Sequence, residues 1–431
     1  MKTKLFLASL FAISVQQTVL AQTDANGYTT VNMTMGGAYA NRVFFDLSAN
    51  STVSQVGDNW DIAFYRNNAM DKGVRINDAK TVTVYQASGI PSEFDSVNPS
   101  QLSTWGAPLY NPDQTTRLQD GAFDTATKAT AGPWNYGWGT YNVGTHVVNG
   151  EVTFVLDYGS NNYIKFFITS FASGYTFKYA IWNGTSWGAT QTKTIANGTD
   201  DAYFNYFSFT TGEKVPNLEP AKANWDIMFT RYYTDYVYPG GSMMYKMSGV
   251  LQSPTISVAK IQPETQETPS ATLPATTAFS SNISAIGHSW KPTSGVYTDV
   301  VYYIKQGSDY YRLYFISNGG TNNGNMYFKY KNITSTLGIT EVSKKASFGI
   351  YPNPTTADKK VTVLFDVKEK DNNKGNVEVY DLTGKRVYNA ELSNQAGFYK
   401  QDLNLSHLAS GNYLVKITYG GKTETKKLIV K

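Results

Sequence analysis

One pattern in this sequence could support covalent catalysis, and it is the segment GTSWG at residues 184–188. It fits the G-x-S-x-G arrangement, in which a strand and a following helix expose a nucleophilic serine. Residues 189–195 are patterned as another strand, so a hairpin turn is the preferred interpretation. The chain contains no cysteine, and only two of its three histidines, His146 and His288, lie in the first 333 residues. A base for a catalytic triad is therefore not apparent.

Asp61 and Asp226 form the second pattern, because each occupies the same place in a repeated block. Two carboxylates acting together are the apparatus of glycoside hydrolysis. Each aspartate lies between Trp and Ile in its own strand-like block, so a structural carboxylate that bonds to a turn or to the following Arg is the preferred interpretation. The sequence also lacks an HExxH motif, an EF-hand loop and a phosphate-binding glycine loop. We therefore expect a protein without enzymatic activity.

The elements that position these residues are predicted to be strands. The chain has 32 tyrosines and 36 glycines, with abundant Thr and Asn, a composition typical of pleated strands joined by turns. Sustained helical periodicity is absent, so the fold class is predicted to be all-β. The net charge of +4, with scattered basic residues, gives no indication of a nucleic-acid partner. Beyond the N-terminal segment no apolar run is long enough to predict a membrane span.

An internal repeat organises most of the chain. The block NWDIAFYR at residues 59–66 recurs as NWDIMFTR at residues 224–231. An aromatic strand with a turn precedes each block (residues 43–48 and 206–212), and two alternating strands around a Gly-Ser turn follow it. Several matched segments in the same order indicate a duplication.

The repeat predicts two antiparallel β domains, at residues 22–198 and 199–333, of which the first is the more diverged. A linker is predicted at residues 334–348. The last 83 residues, 349–431, carry a different pattern and form a third predicted domain.

That third domain opens with the turn YPNP and ends in a basic strand. Its order of strands and turns resembles the C-terminal sorting domain read by the type IX secretion system of the Bacteroidota. The resemblance implies an immunoglobulin-like β-sandwich, the type IX machinery as a partner, and a location outside the cell or attached to its outer surface. The positions that carry the resemblance are Tyr351, Pro352, Asn353, Pro354, Gly411, Tyr413, Lys426 and Lys427.

The N-terminus agrees with export. Lys2 and Lys4 precede an apolar stretch at residues 5–15 that is too short to span a bilayer. Small residues before Gln22 suit a cleavage site. We therefore predict a signal peptide at residues 1–21, export to the periplasm, and type IX translocation from there.

The repeated block, with its preceding aromatic strand and following aromatic hairpin, is similar to the HmuY family. These are secreted or lipid-anchored all-β proteins of the Bacteroidota that hold haem between two axial His or Met side chains. The second copy is the closer match, and the resemblance implies haem or a related porphyrin as the ligand. Thioether and imidazole groups both bind haem iron. The candidate iron ligands in the second copy are Met243, Met244, Met247 and His288.

The sequence departs from the family at one place, because Tyr65 and Thr230 follow the Phe of the blocks where a His or Met ligand is expected. Met228 alternates with Ile227 and is interpreted as core. The other methionines also have an alternative interpretation as core filler, and His288 as a hydrogen-bonded surface histidine. The first copy offers only Met70 and His146, so haem binding is assigned to the second copy.

A second functional class stays open. A surface adhesin or glycan-binding protein could keep the fold without the haem ligands, since aromatic rings stack on sugars. Residues 134–139, with the sequence WNYGWG, supply aromatic side chains that are expected to be exposed, although local packing is an alternative. A third possibility is a structural protein presented on the surface. The expected partners are thus the secretion machinery, haem or haemoproteins, and surface glycans.

Overall fold

The computed structural model describes residues 15–18, 22–66, 71–267, 272–334, 346–367, 375–393, 395–419 and 422–431. The chain divides into two compact units. Residues 1–267 with 274–331 form the first, and residues 268–273 with 332–431 form the second. Both are built from antiparallel sheets, which confirms the predicted all-β class. Among the described residues, no helix is long and apolar enough to cross a membrane.

The first unit contains twenty-two described strands. They are β1 Val15–Thr18, β2 Gln22–Thr23, β3 Thr29–Thr34, β4 Asn41–Asp46, β5 Ser51–Val56, β6 Ile62–Tyr65, β7 Val74–Ile76, β8 Thr83–Ser88, β9 Gly139–Asn142, β10 Val147–Gly150, β11 Thr153–Asp157, β12 Tyr163–Phe171, β13 Gly174–Ile181, β14 Gln191–Ala196, β15 Phe204–Ser208, β16 Glu213–Val215, β17 Ile227–Tyr238, β18 Gly241–Gln252, β19 Ile256–Ile261, β20 Val301–Gln306, β21 Asp309–Asn318 and β22 Asn325–Asn332.

Helices are short throughout the described residues. The only α-helix among them is α1, Gly320–Asn323. The 3-10 helices are Gly37–Tyr39, Pro91–Asp95, Pro99–Thr104, Ala122–Thr125, Lys222–Asn224 and Thr276–Ala278. Strand β1 lies inside the predicted signal peptide; the remainder of residues 1–21 lies outside the described residues, and the signal peptide stays a prediction.

The first unit has two main hydrophobic cores. The first core lies between the four-stranded sheet β16-β15-β6-β7 and a seven-stranded sheet that contains β8 to β14. The second lies between the five-stranded sheet β1-β5-β4-β17-β18 and the six-stranded sheet β19-β20-β21-β22-β3-β2. A further cluster of mostly aromatic side chains, including Trp60 and Trp225, joins the two.

The aromatic strand that precedes each repeated block pairs with the block of the other copy. Strand β4 lies against β17, with Phe45 opposite Ile227, and β15 lies against β6, with Phe207 opposite Ile62. The two cores therefore do not follow the predicted boundary between residues 198 and 199. The first core is formed by residues between 62 and 209. The second core is formed by residues 31–47, which precede that segment, and by residues 227–330, which follow it.

Each repeated aspartate accepts a hydrogen bond from the residue that follows the aromatic strand of the other copy. Asp61 accepts a hydrogen bond from the backbone N–H of Phe209 (2.7 Å), and Asp226 accepts one from the N–H of Leu47 (2.8 Å). Phe209 and Leu47 are the first turn residues after β15 and β4. This confirms the prediction that each aspartate bonds to a turn, although the turn belongs to the other copy.

The remaining partners of the aspartates are also equivalent. Asp61 accepts from the Tyr158 hydroxyl at 2.9 Å, and Asp226 accepts from Nε2 of Gln306 at 2.6 Å. Tyr158 and Gln306 occupy matching positions at the ends of the two Gly-Ser hairpins. Asp61 has one additional partner, the Lys80 ammonium group, at 2.5 Å. The duplication inferred from sequence is therefore repeated in the hydrogen bonds.

Burial raises the pKa of Asp226 to about 6, opposed by the hydrogen bond from Leu47. The folded protein then holds a proton between about pH 4 and 6 that the unfolded chain has released. The contribution of the Asp226 carboxyl group to the free energy of unfolding is fully present below pH 4. It falls by up to about 3 kcal/mol as the pH rises through 6. We expect the unfolding free energy of Asp226→Asn to fall less steeply across this range, measured by urea titration. Replacing exposed Asp235 by Asn is the control, and an equal change in both variants would contradict the prediction.

The second unit is a β-sandwich. Its strands are β23 Ala346–Tyr351, β24 Lys360–Val367, β25 Gly375–Tyr380, β26 Arg386–Leu392, β27 Gly397–Asn404, β28 Gly411–Tyr419 and β29 Lys422–Val430. They form the sheets β23-β24-β27 and β26-β25-β28-β29, and alternate residues of both sheets share one core. Most of the predicted linker, residues 335–345, lies outside the described residues, and β23 takes up its last three positions.

Candidate functional site

Strands β17 and β18 form a long two-stranded ribbon. They pair over twelve residues, from Ile227 opposite Gln252 to Tyr238 opposite Gly241. Only residues 227–229 of β17 also pair with β4, so the outer part of the ribbon extends beyond the sheet. Side chains directly opposite each other in an antiparallel pair lie on the same side, and the register therefore sorts the ribbon into two faces.

One face of the outer ribbon is aromatic. Its members, which we call the aromatic face, are Tyr236, Tyr238, Met243 and Tyr245. Each is between 41% and 46% exposed, which is high for large apolar side chains. The ring centroids of Tyr236 and Tyr245 lie 5.7 Å apart, and those of Tyr236 and Tyr238 lie 6.5 Å apart. The three rings and the thioether thus form one accessible apolar surface.

The three candidate methionines do not all lie on the same face of the ribbon. Met243 and Met247 lie on the aromatic side, with Tyr245 between them, whereas Met244 lies on the opposite side. Met247 is half-buried against the aromatic cluster between the cores. Two methionines separated by a tyrosine on one face are poorly placed to bind one iron from opposite sides. Met243 is the most exposed of the three.

His288 lies near the inner end of the ribbon. Its Nδ1 is 3.0 Å from the hydroxyl of Tyr232, which is the cross-strand partner of Met247. Burial lowers the pKa of His288, so the neutral ring is favoured. The structure therefore brings Met247 and His288 to a common neighbour. Met228 is buried in the adjoining cluster, as predicted, and Met70 lies outside the described residues.

Sequence analysis missed the tyrosines of the aromatic face. A signal was available, because Tyr232, Tyr236 and Tyr238 lie at even-numbered positions with Thr234 between them, and a spacing of two puts side chains on one face of a strand. The exposed surface expected at residues 134–139 is only partly present. Trp134 is 45% exposed, but Trp138 is fully buried and donates its indole N–H to the carbonyl of Lys72 at 3.0 Å.

The segment at residues 184–188 is a hairpin turn, as predicted. Asn183 accepts hydrogen bonds from the backbone N–H groups of Thr185 and Ser186, and Trp182 forms a bridge with Trp187. The next element along the chain is strand β14. Ser186 therefore lacks the following helix that a nucleophile elbow requires.

A small polar cavity of about 50 Å³ lies between the two cores. Four buried polar atoms of its lining residues have no hydrogen-bond partner among the described residues: Nε1 of Trp60 and Trp225, Nε of Arg42, and Oδ1 of Asp78. Burial raises the pKa of Asp78 to about 6. The cavity has room for about three or four water molecules and is far smaller than pockets that hold organic ligands.

A larger cleft, of about 500 Å³, opens beside Asp61 and is called the polar cleft here. Its volume lies within the range of small-molecule sites. Charged groups enter it from both copies of the repeat, Asp58 and Lys80 from the first and Arg231 from the second. Ile164 and Phe209 contribute apolar surface.

The YPNP turn of the second unit, residues 351–354, is hydrogen-bonded to the last strand. Asn353 donates from Nδ2 to the carbonyl of Lys427 (2.8 Å) and accepts from the N–H of Ile429 (2.9 Å). Pro352 and Pro354 flank this asparagine, while Tyr351 is 71% exposed.

The other predicted sorting positions lie on the last two strands. The Lys426 ammonium group donates to the carbonyl of Phe348 at 2.7 Å. Tyr413 donates to the carbonyl of Ala409 at 2.9 Å. Gly411 begins β28 opposite Val430 of β29. The turn and the two strands therefore belong to one sandwich.

Comparison with known families agrees with this geometry. Residues 349–431 match the family described as the secretion system C-terminal sorting domain. No curated protein matches the chain. The matched segment is one fifth of the chain, so it leaves the family of the first unit open. It indicates that this is a secreted or cell-surface protein exported by the type IX secretion system, with that machinery as its partner.

Proposed function

We propose that the protein is a haem- or porphyrin-binding protein that acts outside the cell, and that the aromatic face of the ribbon is its binding surface. The observation that carries this proposal is the grouping of three exposed tyrosine rings with the exposed thioether of Met243. A porphyrin is flat and largely apolar, so it gains from covering such rings. Export by type IX secretion puts the ribbon where free haem or haemoproteins are met.

Met243 is the proposed axial ligand. A methionine thioether is an established ligand of haem iron, and Met243 offers one at the open end of the ribbon. Met244 lies on the other side and serves no porphyrin placed on the aromatic face. Met247 and His288 lie at the inner end, where Tyr232 already contacts the histidine. The proposal is therefore for one axial ligand from this face, which differs from the paired ligands of the HmuY family.

Titration of the purified protein with haem tests this, in the oxidised and the reduced state. We expect a saturable Soret band, and at least a tenfold loss of affinity in Met243→Leu, which keeps the volume and removes the sulfur. The matched control is Met244→Leu, on the opposite face, which should bind as the unaltered protein does. A spectrum unchanged by Met243→Leu, or by joint replacement of Met243, Met244 and Met247, would contradict the ligand assignment.

A second candidate function is glycan binding at the cell surface. The polar cleft favours it, because charged, hydroxyl and apolar side chains share an opening of about 500 Å³. Trp134 does not line this cleft, but it is exposed and is a second surface of the kind that stacks on sugars. Binding on a glycan array by a protein that gives no Soret response to haem would favour this candidate over haem capture.

A further inference from the structure

The two arginines that end the repeated blocks are equivalent in sequence but differ in their bonding. Arg66 is buried; its guanidinium donates to the carbonyl of Ala202 and to Oδ1 of Asn205, both at 3.2 Å, and pairs with Asp200. The guanidinium of Arg231 has no hydrogen bond or ion pair with any described residue, and it borders the polar cleft. Arg66 of the first copy therefore stabilises the fold through its hydrogen bonds, whereas the guanidinium of Arg231 in the second copy is available to bind a ligand.

The lining of the cleft holds two cationic groups, Arg231 and Lys80, and two carboxylates, Asp58 and Asp61. Lys80 lines it and is paired with Asp61 at 2.5 Å. The Lys246 ammonium group donates to the carbonyl of Lys80 at 2.5 Å, so a third cation lies beside the cleft. Three carboxylates lie near these three cations: Asp61 is bonded to Lys80, Asp78 acts on Lys246, and Asp58 lies at the exposed rim. An anionic group is therefore the natural partner for the Arg231 guanidinium.

The remaining lining indicates what such an anion is attached to. Thr81, Asn162 and Thr210 provide exposed hydroxyl and amide groups, and Ile164 and Phe209 provide a buried apolar wall. A sugar ring offers hydroxyls around its edge and an apolar face of C–H groups. Polar groups placed at a few points on an apolar wall are the usual design of a small-molecule site.

We propose that the polar cleft binds a carbohydrate unit that bears a carboxylate, of the uronic acid or sialic acid type, with the carboxylate on Arg231. The inference rests on the second candidate function and gives it a site. It is independent of haem capture, because Arg231 and the aromatic face lie on opposite sides of the ribbon. Uronic and sialic acids share the recognised group, and separate titrations distinguish them.

The test is calorimetric titration of the full chain with glucuronate, with N-acetylneuraminate and with glucose. We expect saturable binding of at least one acid, weaker binding at high salt, and none of glucose under the same conditions. Arg231→Gln should weaken acid binding at least tenfold, since it removes a charge-assisted contact. Arg386→Gln, which removes the same charge from an exposed position of the second unit (side chain 55% exposed), should leave binding unchanged.

Equal binding by Arg231→Gln and the unaltered protein would overturn the proposal, as would equal binding of glucose and the acids, or no binding of either acid. The haem titration is run on the same Arg231→Gln sample. A normal Soret response together with lost acid binding supports two separate sites. Loss of both responses, with an unchanged circular dichroism spectrum, would overturn the assignment of Arg231 to a site of its own.

Discussion

A fragment that covers residues 22–198 should fail to fold, although it contains the whole first copy of the repeat. It lacks β15, whose Phe207 is buried in the first core together with Phe209 of the following turn. Phe207 packs against Phe177 with ring centroids 5.0 Å apart. Loss of one core phenylalanine side chain costs about 3–5 kcal/mol, so two remove most of a stability of about 5–15 kcal/mol. Urea titration followed by circular dichroism should show no cooperative transition.

The matched fragment covers residues 57–219. It contains every residue of the first core and Glu219, which accepts a hydrogen bond from the Tyr206 hydroxyl at 2.6 Å. We expect a cooperative transition here, at lower stability than in the full chain, because the aromatic cluster between the two cores loses Phe44, Trp225 and Met228. Cooperative unfolding of the 22–198 fragment would show that the exchange of β4 and β15 is not required for folding.

Arg312→Met should destabilise the first unit by about 3–5 kcal/mol, the usual result when one partner of a buried ion pair is removed. The Arg312 side chain is fully buried and pairs with Glu264 at 2.7 Å. It also donates to the Tyr28 hydroxyl (2.6 Å) and to the carbonyls of Thr265 and Gln266 (both 2.5 Å). Methionine fills a similar volume but leaves all these acceptors without their donor. The measurement is the free energy of unfolding in urea.

Arg117→Met is the control for this prediction. Arg117 lies in the same unit and pairs with Asp71 and Asp120, but its side chain is 51% exposed. Exposed ion pairs contribute about 1 kcal/mol or less, so its replacement should change stability little. Equal effects of the two substitutions would mean that the partners of Arg312 recover their hydrogen bonds from water.

Much of this architecture could be predicted from local pattern. Alternating aromatic and polar residues predicted the strands, and a Gly-Ser turn predicted each hairpin. The prediction that each repeated aspartate bonds to a turn is confirmed by the hydrogen bonds of Asp61 and Asp226. The turn at residues 184–188 followed from the strand-like pattern after it.

The exchange of strands could not be predicted, for a physical reason. The aromatic strands β4 and β15 are alike, and so are the blocks that receive them, so hydrophobic pattern alone gives nearly the same preference for either pairing. The choice depends on contacts far apart in sequence, such as Asp226 with Leu47. Burial of individual aromatics escaped prediction for the same reason, since Trp138 is covered by side chains from distant strands such as Tyr175.

In the sequence, the segment that forms the first core lies between the two segments that form the second core. This arrangement sets the order in which the cores can form as the chain emerges from a ribosome or a membrane pore. All strands around the first core are present once β16 has appeared. Strand β3 of the six-stranded sheet, by contrast, has no partner on one side until β22 appears. At typical synthesis rates the intervening stretch of roughly 115 residues takes on the order of 6–23 s. During that delay the early strands present open edges that invite aggregation. The topology therefore favours a holding factor that covers these edges, or export that is faster than folding, until β22 has appeared.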